Sequence, residues 1–447
     1  MPSVSAVLPG GGISTRAGSA EPPGGSSGTH VIRGSNGKAI VVGPGITATT
    51  VKIGVPYATD IGAADQATGA GALNPGNTKA EEQAIWDWVN HHGGLGGRRV
   101  ALDFYGIPAT TSDANASFQA ACDHFTQDSR DFVVLNKGTA NFDACLEQRG
   151  VLHLVDDLTI SSDSSRHKLP HDVRPAGITL EDESRTLVQG LSQLGYFNGP
   201  AVKVGIMSFD DPGFRAAISN VMLPALKAVG HPVAASDVQL APPPNSVADY
   251  GTMDRAATNA AVHFRTDGVT NVLLFDSDGA LTQGFAAAAE SQHAHFNYGV
   301  NSQNGMQVGL EAGDVPPDQA VGSMGVGWLP DFDVVQSQRP ANALAKTCRA
   351  IMSAAGYPAS GDNADVVQLF MCQDAFALQA AMNRLTGDIT RDTVLTSLQS
   401  LGAHLPDVAN YVIGLDRQHV DGVRELRLYA YNQGCGCYQY RPGTLRI

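Results

Sequence analysis

Residues 78–106 read TKAEEQAIWDWVNHHGGLGGRRVALDFYG, and the fold follows from how this stretch is parsed. Ala80, Ala84, Ile85, Trp88 and Val89 recur at helical spacing, so the first half is expected to be a helix with one apolar face. Asn77 or Thr78 can cap its start, and Gly93 can stop it. Beyond the glycines, RRVALDFYG (98–106) has the content of a strand. Just upstream, VKIGVPY (51–57) is another β-rich run. Strand, helix, strand is the unit from which parallel sheets are built.

Outward from this unit the alternation continues. Residues 113–127 are expected to be helical, DFVVLN (131–136) a strand, FDACLEQRG a short helix and VLHLVDD (151–157) a strand. A second series follows, with helix 181–195, strand 201–210, helices 214–230 and 252–266, strand 271–276, helix 281–291 and strand 296–301. A third block holds strand 321–328 and helices near 338–356 and 364–386. Two such series predict an α/β protein with two doubly wound, Rossmann-like lobes. Residues 1–47 are rich in Gly, Ser, Pro and Thr without apolar periodicity. They are expected to form a disordered segment or tether, with order starting near Val51.

Composition narrows the function. The 447 residues carry 29 basic and 43 acidic side chains, a net charge of −14. That field repels phosphate backbones, so nucleic acid is not an expected partner. No apolar run reaches the roughly 18 residues needed to cross a bilayer. The 50 Gly and 24 Pro show no repeat, against a fibrous protein. Six cysteines lack metal-site spacing and allow 15 pairings. They read either as three disulfides in an oxidising compartment or as buried thiols. Residues 1–20, MPSVSAVLPGGGISTRAGSA, supply neither the basic start nor the apolar run of a secretory signal. Either the protein stays inside, or this is a processed or internally started form.

Catalytic templates find little to match. VGSMGVG (321–327) has the wrong spacing for a nucleophile elbow, and no phosphate loop is present. GGLGGRR (93–99) follows a helix and precedes a strand, the reverse of a dinucleotide loop. His293 and His295 diverge on a helix, and His91 and His92 suit a helix end. Neither a metal nor a cofactor is expected. Asp156–Asp157 and Asp276–Ser277–Asp278 can serve as acid/base pairs, or can accept hydrogen bonds from a ligand ammonium or hydroxyl. Without a nucleophile or cofactor motif, binding is expected rather than catalysis.

Taken together, several segments resemble a known family. TVKIGV (50–55) and the helix ending VNHHGGLGGRRV (89–100) look like the type I periplasmic solute-binding proteins, in the branched-chain amino-acid (Leu/Ile/Val) group of ABC-transporter binding proteins. There the helix closes on N-x-x-G-G-[IL]-x-G. ASFQAACDHFTQD (116–128), FVVLN (132–136), ACLEQRGVLHLV (144–155), KVGIMSFDDPGF (203–214) and FMCQDAFALQAAMNRL (370–385) continue the resemblance across about residues 48–440.

The resemblance implies the type I periplasmic binding protein fold with three hinge crossovers, near 174–178, 321–325 and 414–417. Lobe 1 would be 48–175 plus 322–415, and lobe 2 would be 176–321 plus 416–447. Ligand would sit between the lobes against strand ends, with closure around it. The expected contacts are Tyr57, Lys137, Thr139, Asp157, Thr159, Phe209, Asp276 and Ser302. Thr139 and Thr159 match the family's first-lobe hydroxyl contacts, and Phe209 its aromatic entrance. The family's serine run is replaced by Asn136-Lys137-Gly138-Thr139, and its second-lobe Glu is absent at Asn301–Ser302. Asp276 is the candidate for a ligand cation or hydroxyl, or else caps the following helix. The family often bonds the pair corresponding to Cys122 and Cys145. Cys348 with Cys372 would tie two adjacent helices, while Cys435-Gly436-Cys437 would close a tight ring or stay reduced. The implied function is extracytoplasmic capture of a small polar solute, such as an amino acid, for the permease subunits of an ABC importer. The low-complexity tail would be a tether from a lost lipid anchor. A ligand-sensing receptor of the same fold and an α/β enzyme using the Asp pairs are the alternatives.

Overall fold

A computed structural model of the protein describes residues 29–33, 38–63, 75–136, 138–155, 162–199, 201–244, 246–277 and 279–447. Its strands, in chain order, are β1 (His30–Arg33), β2 (Ala39–Val42), β3 (Thr50–Thr59), β4 (Arg99–Pro108), β5 (Val133–Leu135), β6 (Leu152–Leu154), β7 (Asp172–Val173), β8 (Val204–Phe209), β9 (Val238–Ala241), β10 (Asn271–Phe275), β11 (Asn297–Asn301), β12 (Met324–Gly327), β13 (Glu425–Asn432) and β14 (Cys437–Arg446). They form two main sheets. The first has the order β4-β3-β5-β6-β7, all parallel. The second has the order β14-β13-β12-β11-β10-β8-β9. From β12 to β9 it is parallel, and β13 and β14 add an antiparallel hairpin to one edge.

Each parallel set has its second strand outside its first and its third on the other side. Strand order therefore reverses between β3 and β5 in one lobe and between β8 and β10 in the other. Polar groups converge at such a switch point because the two following crossovers leave on opposite faces of the sheet.

The helix expected after β3 is Thr78–His91, with Asn77 capping Ala80. Its buried face holds Ile85, Trp86 and Val89, so Trp86 enters the core. Trp88, expected on the apolar face, is half-buried and stacks on the His92 ring at 3.9 Å. Helix Asp362–Asn383 packs alongside this one and is buried on nearly every side because helices surround it.

Three boundaries differ from the sequence reading. Residues 38–47 are ordered: Val42 and Ile46 are buried, and Val41 and Gly43 exchange backbone hydrogen bonds with Ile389. The apolar run AIVV (39–42) supplies the core contact that the Gly- and Pro-rich flanks hide. β12 belongs to the second sheet, between β11 and β13, so the second crossover follows Gly327 instead of lying near 321–325. The hairpin β13–β14, absent from the strand-and-helix reading, completes that sheet.

All three cysteine pairs are disulfides: Cys122–Cys145, Cys348–Cys372 and Cys435–Cys437. The first joins helices Ala114–Asp123 and Ala140–Arg149. The second joins helices Ala343–Ala354 and Asp362–Asn383. The third closes the turn of the β13–β14 hairpin.

Candidate functional site

The first wall of the candidate site is the switch point of lobe 1. Asp60 and Asn136, just beyond β3 and β5, hold left-handed backbone with φ of 50° and 63°. Non-glycine residues pay for that geometry, and Asp and Asn tolerate it best. Asp60 is held by the Ala109 N–H at 3.0 Å and by the Thr110 hydroxyl. Asn136 donates from Nδ2 to the Pro56 carbonyl at 3.2 Å and accepts at its own carbonyl from His153 Nε2 at 2.8 Å. Beneath it, the Glu82 carboxyl meets the Asn136 side chain and accepts from Trp86 Nε1 at 3.0 Å. Burial pushes Glu82 up to about 7, against the opposing pull of those hydrogen bonds. Tyr57 stands edge-on to Phe104, with Lys79 Nζ 4.9 Å from its ring centre. Thr139 is half-buried and caps helix Ala140–Arg149 through the Phe142 N–H.

The second wall is the switch point of lobe 2. Phe209 ends β8 and packs edge-on against Phe214, which in turn meets Phe275 at the end of β10. Asp276, 1 % exposed, accepts from the Thr282 N–H at 2.9 Å and from Asn304 Nδ2 at 2.8 Å. Asn304 also donates to the Thr282 hydroxyl at 2.8 Å. Asn301 donates to Glu183, whose carboxyl is held well above its usual range by burial and by the Asp276 charge. Ser302 is fully buried; it donates to Asp333 at 2.7 Å and accepts from the Trp328 N–H at 2.7 Å.

Three crossovers run side by side between these walls. Arg174 N–H donates to Val420 O, Gly422 N–H to Arg174 O and Val423 N–H to Gly177 O. Gly422 lies so close to the Pro175 carbonyl that a Cβ has no room there. Asn410 Nδ2 spans the other two crossovers, donating to Ala176 O at 3.2 Å and Trp328 O at 3.3 Å. Next to it, Asp333 accepts from Ser302 and from the Tyr411 hydroxyl at 3.0 Å, and burial pushes its carboxyl up to about 8. Across the cleft the lobes touch where the Asp163 N–H donates to Glu181 Oε2 at 2.9 Å.

Tyr57, Thr139, Phe209, Asp276 and Ser302 therefore all lie at or just beyond carboxyl ends of strands, or of the loops after them. Lys137, Asp157 and Thr159 lie outside the described residues, as do Asp156 and Asp278. Asp276 has its carboxyl oxygens engaged inside lobe 2, and Ser302 has its hydroxyl engaged by Trp328, Leu329 and Asp333 of the second crossover. The expected contacts left out Glu82, Asn136, His153 and Asn304, although Asn136 and Asn304 lie in polar turns after apolar runs that the sequence marks as strand ends. Asn136 carried a signal, because an Asn just after a β-run is a common left-handed residue. Glu82 carried one as well, since it shares helical spacing with Ile85, Trp86 and Val89 on the buried face.

Among the described residues, two groups bring three acid or histidine ligand atoms together. In the first, Asp143, His153 and Asp172, the two acids already hold the Arg174 guanidinium, 3.6 Å from Asp143 and 2.9 Å from Asp172. In the second, Asp237, His263 and Asp267, the two acids already hold Lys203, 3.2 Å from Asp237. In each, a protein cation supplies the positive charge that a metal would bring.

No family model matches the sequence, and no curated protein matches it. Solved structures do match. A branched-chain amino-acid ABC transporter protein from Thermus thermophilus with bound valine is 15 % identical over 89 % of this chain and 96 % of its own, with a TM-score of 0.63. A fatty acid ABC transporter substrate-binding protein from Thermomonospora curvata is 16 % identical over 93 % of this chain and 97 % of its own, at 0.63. A solute-binding protein from Rhodopseudomonas palustris HaA2 in complex with p-hydroxybenzoic acid is 15 % identical over 89 % and 97 %, at 0.59. With two sheets whose parallel strands share one order, three adjacent crossovers and these neighbours, the chain has the type I periplasmic binding protein fold.

Proposed function

We propose that the protein is an extracytoplasmic solute-binding protein that captures a small polar ligand between its lobes and delivers it to the permease subunits of an ABC importer. The observation that carries this reading is the pair of switch points, one per lobe, whose strand ends turn toward a cleft spanned by three hydrogen-bonded crossovers. Such a cleft can desolvate a ligand when it closes and release it when it opens. Three disulfides suit an oxidising compartment. The fold neighbours support the transport reading, and their ligands include valine, named as bound to one, and p-hydroxybenzoic acid, named in complex with another.

In this reading Tyr57, Thr139 and Phe209 face the ligand, together with Lys137, Asp157 and Thr159. Asp276 and Ser302 hold the second wall in place from behind, Asp276 through Asn304. An amino acid or related compound fits the mixture of hydroxyl, acidic and aromatic groups. The reaction machinery of an enzyme is not invoked: the buried acids here are tied to amides, hydroxyls and arginines. Native mass spectrometry of the purified chain tests the proposal. A one-to-one small-molecule adduct, lost on unfolding and restored on adding the identified compound, is expected. No adduct, and no heat from a panel of amino acids, fatty acids and aromatic acids, would overturn it.

A further inference from the structure

The Cys435–Cys437 disulfide has no part in the cleft or its crossovers, and it does little for the fold. Its cysteines are 2 positions apart, whereas the other two bonds span 23 and 24. In the chain-entropy model a disulfide's stabilisation grows with the loop it closes, so this bond constrains the unfolded chain least. The turn is also held without it. Asn432 O accepts from the Cys435 and Gly436 N–H groups at 3.3 and 2.9 Å, and Asn432 Oδ1 from the Gly434 N–H at 2.9 Å. From there the ladder pairs Asn432 with Cys437, Tyr431 with Tyr438, Ala430 with Gln439 and Tyr429 with Tyr440.

The bond is accessible from one side. Residues 433–436 are all exposed, and glycines flank Cys435, so no side chain next to it in sequence covers it. Cys437 is 7 % exposed, which leaves Cys435 as the sulfur that a nucleophile reaches. In the other two bonds Cys122, Cys348 and Cys372 are fully buried. The turn also suits the reduced state. Asn432 O and Cys437 O lie 3.5 and 3.6 Å from Cys435 Sγ. A disulfide sulfur has no hydrogen to give these acceptors, whereas a thiol has one. An exposed disulfide whose reduced form is stabilised is an oxidising one.

We propose that Cys435–Cys437 is a thiol–disulfide exchange site that oxidises a dithiol, a protein or peptide with two neighbouring cysteines. One thiolate of the partner attacks Cys435 Sγ. The Cys435–Cys437 bond breaks, its electron pair leaves on Cys437 Sγ, and that sulfur takes a proton. The partner's second thiolate then attacks the partner's own sulfur in the mixed disulfide. Cys435 Sγ leaves with the electron pair and takes a proton. Two electrons and two protons pass to the hairpin, and the partner keeps a disulfide. The β13–β14 ladder holds both thiols in place, so the reverse exchange with a second disulfide restores the bond.

Mixing the full, oxidised chain with a reduced two-cysteine peptide, alkylating at intervals and mapping the products by mass spectrometry tests the proposal. Peptide disulfide should form one for one with opened Cys435–Cys437. Cys122–Cys145 and Cys348–Cys372 should open at least about tenfold more slowly. A chain carrying both Cys435→Ser and Cys437→Ser should leave the peptide reduced. With the oxidised peptide, the Cys437→Ser chain should form a mixed disulfide through Cys435 at least about tenfold faster than the Cys435→Ser chain does through Cys437. The first arm uses the unsubstituted chain and stands whatever the variants do to the fold. A peptide that stays reduced, three bonds that open together, equal oxidation by the doubly substituted chain, or single variants that react alike or in the opposite order would each overturn it.

Discussion

Glu82 is 1 % exposed and carries a carboxyl group pushed up to about 7 by burial. In the unfolded chain it ionises near its ordinary value of 4.5. Between those two values the folded state keeps a proton that the unfolded state has lost. Stability therefore falls as pH rises from about 4.5 to about 7, by roughly 3 kcal/mol, and levels off above. Glu82→Gln should remove this slope. Urea unfolding of both proteins from pH 4.5 to 8 should show the variant gaining on the parent by about that amount; a constant difference would contradict the assignment. Asp333, raised to about 8, extends the same trend to higher pH, and Asp333→Asn should flatten the segment up to there. The type of residue at each loop was readable from sequence, as with Thr139. Which polar groups turn inward was readable only in part: Glu82 shares the helix face of Ile85, Trp86 and Val89, whereas His153 owes its burial to the neighbours the fold brings to it.

At the scale of elements, Asn410 and the first disulfide give the sharpest tests. Asn410→Ala would strip the hydrogen bonds to Ala176 O and Trp328 O, leaving both carbonyls on the crossovers without that donor. A loss of about 1–3 kcal/mol is expected in urea unfolding. An unchanged midpoint would mean that Asn410 does not brace the hinge. Replacing Cys122 and Cys145 by Ala opens a loop of sequence separation 23, and on the chain-entropy model costs roughly 3 kcal/mol. Peptide mapping without reduction should recover the two linked; free thiols in protein from an oxidising host would contradict the pairing. Most parallel strands and their helices were legible because apolar runs alternate with helical spacing and capping residues. β13 and β14 were not, since a hairpin laid antiparallel on an edge breaks that rhythm. β12 was legible as a strand, but its place in the second sheet depends on pairing with β11 and β13, which no local pattern encodes.

The whole molecule is two sheets of like topology joined by three strands of chain. That arrangement permits rotation of one lobe against the other with little change inside either, since each lobe keeps its own sheet. The alternation of strands and helices made the two-lobed architecture readable. The ligand was not readable, because specificity rests on loop side chains whose directions follow from closure. Small-angle X-ray scattering with and without the co-purifying solute tests capture by closure most directly. The radius of gyration should fall on saturation with the solute and return on its removal; an unchanged profile at verified saturation would contradict the account.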